Sequence, residues 1–129
     1  MKDEQEAARL TIEIAKLLME TMQSMGTPWQ RAFLRFRVVS EDHFGCNASY
    51  ETAGGVFLIG AIKYGRLFDT VNRLAPLLRE AMANEGNKFC VFLLTVDNQF
   101  NFNFQYEHTN PERWVITKLN GASGLPQDP

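Results

Sequence analysis

The chain is poor in the residues that metal centres and most active sites are built from. Its 129 residues include two cysteines and two histidines. Cys46 and Cys90 stand far apart, without CxxC or Cys/His ligand spacing, and both fall in apolar runs, so they read as reduced core residues. That setting is neither electropositive nor exposed, as a reactive thiolate requires. His43 and His108 fall in expected turns next to acidic residues, with no HxH or HxxxH pair, so no metal ligand set is expected. No GxGxxG or GxxxxGK[ST] run joins a strand to a helix. Gly54-Gly55 precedes a strand, and Gly60 and Gly65 are isolated, which argues against a phosphate cradle. An excess of basic charge is missing too. Thirteen Lys+Arg against fifteen Asp+Glu leave a net charge of −2, unlike a protein that grips a nucleic-acid backbone. The longest uncharged runs, such as Thr52–Ile62 and Phe89–Val96, fall short of the roughly 20 residues of a membrane helix. Met1 to Glu6 is acidic where a signal peptide starts basic and then apolar. These absences point to a cytoplasmic protein that binds no membrane, no nucleic acid directly and no cofactor, and that is not an enzyme.

What is present is the composition of a globular domain: 45% hydrophobic, 22% charged and 12% aromatic. Residues 3–25 repeat apolar positions at spacings of three and four (Ala7, Leu10, Ile14, Leu17, Leu18, Met22, Met25), which predicts an amphipathic helix. Gly26 suits a left-handed cap, and Pro28 is a stop signal. The period then falls to two. Ala32, Leu34, Phe36 and Val38 alternate with Phe33, Arg35 and Arg37. After the turn Glu41-Asp42-His43, a second strand alternates from Phe44 to Glu51, and Val56–Ala61 reads as a short third strand. Helical spacing returns over 66–84, where Pro76 predicts a kink or a break and Gly86 an end. Phe89–Val96 and Phe100–Tyr106 make a hairpin, with Phe100, Phe102 and Phe104 expected in the core and Asn101, Asn103 and Gln105 outside. Asn110 and Pro111 suit a helix start, while Trp114-Val115-Ile116 equally suits a strand. The whole is an α+β domain over 1–120, an antiparallel sheet with packed helices in the order α-βββ-α-ββ-(α). Residues 121–129, rich in Gly, Ser, Pro and Asp, are expected to form a flexible C-terminal tail.

With catalytic signatures lacking, surface recognition remains. Arg35 and Arg37 share one strand face, and Asn101, Asn103 and Gln105 form a row of uncharged amides that does not repel a docking strand. Glu107 ends that row, and Glu41 and Asp42 form an acidic turn suited to mimic nucleic-acid charge in a basic cleft.

The stretch VFLLTVDNQFNFNFQYE, followed by WVITKLNG, resembles the YezG-type immunity (antitoxin) family of bacterial polymorphic-toxin systems. The leading helix, PWQRAFLRFRV and RLFDTVNRLAPLLREAM resemble its upstream part. The chain departs from the family pattern at Phe89 and His108, where members often carry Trp and Asp. The element order also resembles the secretion-chaperone-like fold of type III secretion chaperones and the YbjN group. The first resemblance implies an immunity protein that binds a cognate toxin domain, a nuclease, and masks it stoichiometrically. Asn101, Asn103, Gln105, Glu107, Glu41, Asp42, Arg35 and Arg37 are then the candidate toxin-binding residues. The second implies an adaptor that holds an extended segment of a partner protein, and leaves a homodimer possible.

Overall fold

The computed structural model describes residues 4–83 and 88–127. Helix α1 (Glu4–Met25) buries Leu10, Ile14, Ala15, Leu18 and Met22, the stripe that the sequence period dictates. Its outer flank is charged, with Arg9 paired to Glu6 at 2.7 Å and to Glu13 at 2.6 Å. Gly26 stops it at φ +66°, a conformation that costs glycine little.

Five strands follow in one antiparallel sheet: β1 (Arg31–Ser40), β2 (His43–Thr52), β3 (Gly55–Leu58), β4 (Val91–Asp97) and β5 (Phe102–Glu107), in the spatial order β3-β2-β1-β4-β5. Helix α2 (Gly65–Met82) stands between β3 and β4 in the chain. The fold is therefore α+β, with the element order α-βββ-α-ββ that the hydrophobic periods imply. Among the described residues, no helix is long and apolar enough to cross a membrane.

The two helices cover one face of the sheet. Ala32, Leu34, Phe36 and Val38 of β1, Ala48 of β2, and Phe92, Leu94 and Val96 of β4 pack there against both helices. Phe92 links the aromatic layer, with its ring 5.5 Å from Phe36 and 5.1 Å from Phe104. The opposite face carries a smaller cluster in which Phe33, Val91 and Leu93 pack with Trp114 and Ile116.

Four expectations change. Pro76 neither breaks α2 nor ends it. The bond that its missing N–H forfeits is offset by burial of Leu74, Ala75 and Leu78 on either side. The end expected at Gly86 lies outside the described residues, and the helix itself ends at Met82. Phe102 is 43% exposed and Phe100 48%, because β5 is an edge strand and Phe100 precedes it, in the turn, at φ +65°. Only Phe104 of the three is packed against the core, and it is half-buried. Residues 111–118 form neither a helix nor a strand. They make a turn and then an extended crossing, and residues 121–127, expected as a loose tail, also lie against the sheet: the Ser49 hydroxyl donates to the Gly124 carbonyl at 2.7 Å, and Leu125 joins the second cluster.

Candidate functional site

The strand register sorts the outer face into transverse rows. Arg37 lies beside Val91 and then Glu107; Arg35 beside Leu93 and then Gln105; Phe33 beside Thr95 and then Asn103; Arg31 beside Asp97. Side chains at these positions share one face because neighbouring strands pleat in step. All eight candidate residues lie on this grid or in the turns at its ends, and they fall into three groups.

One group fastens the C-terminal segment, residues 108–127, as a strap across the sheet. Arg35 is buried and donates through Nε to the Arg113 carbonyl at 2.8 Å and through Nη2 to the Pro111 carbonyl at 2.7 Å. Burial, followed by repulsion from Arg37, pulls its pKa below the usual arginine value. Arg37 pairs with Glu112 of the strap at 2.6 Å. Glu107 organises the strap's first turn. Its carboxylate accepts from the Arg113 guanidinium at 2.8 Å, from the Thr109 and Asn110 N–H groups at 3.1 Å, and from the Thr109 hydroxyl at 3.0 Å. The Arg113 bond and then those backbone donors hold its pKa down at about 2. Further along, Asn47 Nδ2 donates to the Ile116 carbonyl at 2.8 Å. Glu51, opposite Arg31 on the neighbouring strand, forms an ion pair with it.

The second group is open. Asn103 and Gln105 are exposed on the outer face of β5, with half-buried Thr95 beside Asn103. Asn101 falls short of the strand and belongs to its turn: its N–H and its Nδ2 donate to the Asp97 carboxylate at 3.0 and 3.2 Å. These bonds, the Asn101 N–H first, hold the Asp97 pKa below the usual carboxylate value. The amide row is thus two residues long, and it sits beside the exposed Phe102 ring on the other face of the same strand.

Glu41 and Asp42 project from the β1–β2 turn, where Glu41 lies 3.8 Å from both Arg79 and Lys88. That turn adjoins the Arg37 end of the sheet, away from Asn103, so acidic turn and amide row are separate surfaces. A shallow cavity of about 290 Å³ lies near it, lined by Arg35, Arg37, His43 and Asn47 among others. Among the described residues, no group of three or more His, Cys, Asp or Glu could hold a metal ion. Cys46 packs beneath α2, and burial, with a smaller effect from Asp69, raises its pKa to about 12 and so keeps it a thiol. Cys90 lies half-buried by the second cluster, and burial raises its pKa too.

Trp114 and Ile116 are the residues that sequence reasoning placed least well. Trp114 is fully buried at φ +62°, with the Arg113 guanidinium 4.7 Å above its ring. A bulky residue in this conformation is held there by its surroundings, here the packing of the indole on Val91 and Leu93. Its sequence signal was a lone Trp between Pro111 and Gly121, with no period to follow. No family model matches the chain, and no curated protein matches it.

Proposed function

We propose that the protein is an immunity protein, which binds a cognate toxin domain, a nuclease, and neutralises it by stoichiometric masking in the cytoplasm. The observation that carries this reading is the open outer face of β5, where Asn103 and Gln105 stand exposed, Gln105 beside the Leu93 that packs with Trp114 of the strap. Uncharged amides both donate and accept, so they match a partner's polar surface without the cost of desolvating a charge. The resemblance of VFLLTVDNQFNFNFQYE and its flanks to the YezG-type family supports the same task. Arg35, Arg37 and Glu107 act in it indirectly, by holding the strap beside the amides.

The test is co-expression with the C-terminal domain of the protein encoded next to this one, scored by growth. The wild type is expected to restore growth. The Asn103→Lys/Gln105→Lys variant is expected to lose rescue and pull-down while keeping its thermal melt. Full binding by the folded double variant would remove this face from the interface, and failure of the wild type to rescue would overturn the reading. A secretion-chaperone-like adaptor is the second reading. The outer edge of β5, which pairs with no strand among the described residues, favours it, because an extended segment adds to such an edge by main-chain hydrogen bonds. Capture of an extended effector segment with no protection against a toxin would be its result.

A further inference from the structure

The two edges of the sheet are built differently. Edge strand β3 has four residues, starts at Gly55 with φ +142°, and has the Lys118 ammonium over its Phe57 ring. Short length and nearby lysine are ordinary guards against edge-to-edge pairing. Edge strand β5 has six residues, and from Phe102 to Tyr106 it carries no charge and no proline.

The hydrogen bonds that flank β5 show which of its backbone groups are unspent among the described residues. Asp97 N–H donates to the Asn101 carbonyl at 3.0 Å, and Cys90 N–H donates to the Glu107 carbonyl at 2.7 Å. The odd-numbered residues therefore aim their backbone groups at β4. Alternation along the ladder leaves the N–H and C=O of Phe102, Phe104 and Tyr106 aimed at the open edge. Above that edge the cover is also apolar. Helix α1 lies over β1 and β4, and its Glu13, Lys16, Leu17 and Glu20 line grooves shared with α2. At about 100° per residue, the flank turned away from α2 holds Glu4 in the first turn and then Ala8, Thr11, Ile12, Ala15 and Met19, so beyond that first turn it carries no charge. Ile12 there is 47% exposed.

We infer that β5 pairs antiparallel with β5 of a second copy of this chain, about a twofold axis through Phe104, to join two five-stranded sheets into one. In that register the outward-aimed residues meet one another. Phe104 exchanges both backbone bonds with its own counterpart, and Phe102 does so with Tyr106 of the second copy. On the helix side this brings aromatic against aromatic. On the outer side Asn103 meets Gln105 of the second copy, amide against amide, and Glu107 comes opposite Asn101 rather than another carboxylate. A second copy fits better than a foreign strand because every opposed pair is matched by the one sequence. A slip of one residue would set aromatic rings against amides on both faces. The pairing also places both amide rows side by side at the twofold axis. The inference concerns the free chain and does not rest on the toxin reading.

Sedimentation equilibrium across the micromolar range tests it. The wild type is expected at twice the 14.7 kDa chain mass. Phe102→Lys, at a half-exposed ring, is expected to halve that mass while still unfolding cooperatively, with a melt that no longer rises with protein concentration. Register is read separately by oxidative cross-linking: a mixture of Asn103→Cys chains and Gln105→Cys chains should link at least tenfold faster than either variant alone. The wild type, with Cys46 and Cys90, is the control. A single-chain mass for the wild type at every concentration would overturn the inference and leave the edge to a foreign strand. So would a Phe102→Lys dimer of unchanged strength, or a mixture that links no faster than its components. A dimer that gives no protection against the toxin would sink the immunity reading and leave this one standing.

Discussion

The two faces of the sheet are closed by different means. The inner face is closed by two helices, each bringing a full apolar stripe: Leu10, Ile14 and Leu18 from α1, and Val71, Leu74 and Leu78 from α2, with Phe36, Phe92 and Leu94 from the sheet. The outer face is closed by an extended strap whose cluster centres on Trp114 and Ile116 over Phe33, Val91 and Leu93. The strap makes up for its small apolar area with polar latches from the sheet: Arg35, Asn47 and Ser49 all donate to its backbone carbonyls. Hydrophobic area holds the helices on the sheet. Directed hydrogen bonds, each worth about 1 kcal/mol net, hold the strap at one place and in one orientation.

If this contrast is right, the largest effect belongs to the inner face. Phe92→Ala should cost about 3–5 kcal/mol, because it deletes a fully buried ring that touches Phe36, Phe89 and Phe104. Urea unfolding should show one cooperative transition at a lower midpoint. A loss below about 1 kcal/mol would mean that the inner core repacks freely, and the contrast would fail.

A smaller cost, about 1–3 kcal/mol, is expected for Arg35→Met, which leaves the Pro111 and Arg113 carbonyls without their donor. Its signature should be local. Amides of the strap should exchange faster with solvent while those of β1 and β4 keep their protection. Equal loss of protection in strap and sheet would show that the two faces are one cooperative unit.

The smallest effect lies in pH dependence. Glu107 has a folded pKa of about 2, below the ordinary carboxylate value of about 4.3, so its contribution is present above that ordinary value. It is lost as pH falls towards 2. Urea midpoints between neutral and acid pH should therefore decline, and Glu107→Gln should flatten part of that decline. An unchanged acid slope in the variant would show that the first turn of the strap does not depend on this carboxylate.

These differences also explain what could be read from the sequence. Helix stripes and strand alternation report which way a side chain points, and on that basis Ala32, Leu34 and Phe36 were legible as core and Asn103 and Gln105 as outer. Alternation does not report whether anything covers the face. Phe102 points to the same side as Phe104, yet it stays 43% exposed, because β5 lies at the edge of the sheet. The strap was illegible for a different reason. Its main acceptors are backbone carbonyls, which every residue has, and the donors stand in strands far earlier in the chain. Arg35 and Arg37 were legible as one strand face, but nothing in the local sequence marks Pro111, Glu112 and Arg113 as their partners. Of the two outcomes expected at Pro76, the break is absent, since α2 runs through it from Gly65 to Met82 with Leu74, Ala75 and Leu78 buried around it.

The latching of the strap through its main chain has an evolutionary consequence. An acceptor that belongs to the backbone survives replacement of the side chain that happens to accompany it. An exposed position between the latches, such as Leu119 (76% exposed), is therefore free to diversify without unfastening the strap. Substitution at the arginine, asparagine and serine that donate from the sheet would instead unfasten it. Mutational scanning should then find tolerance at Leu119 and intolerance at Arg35, Asn47, Ser49 and Trp114.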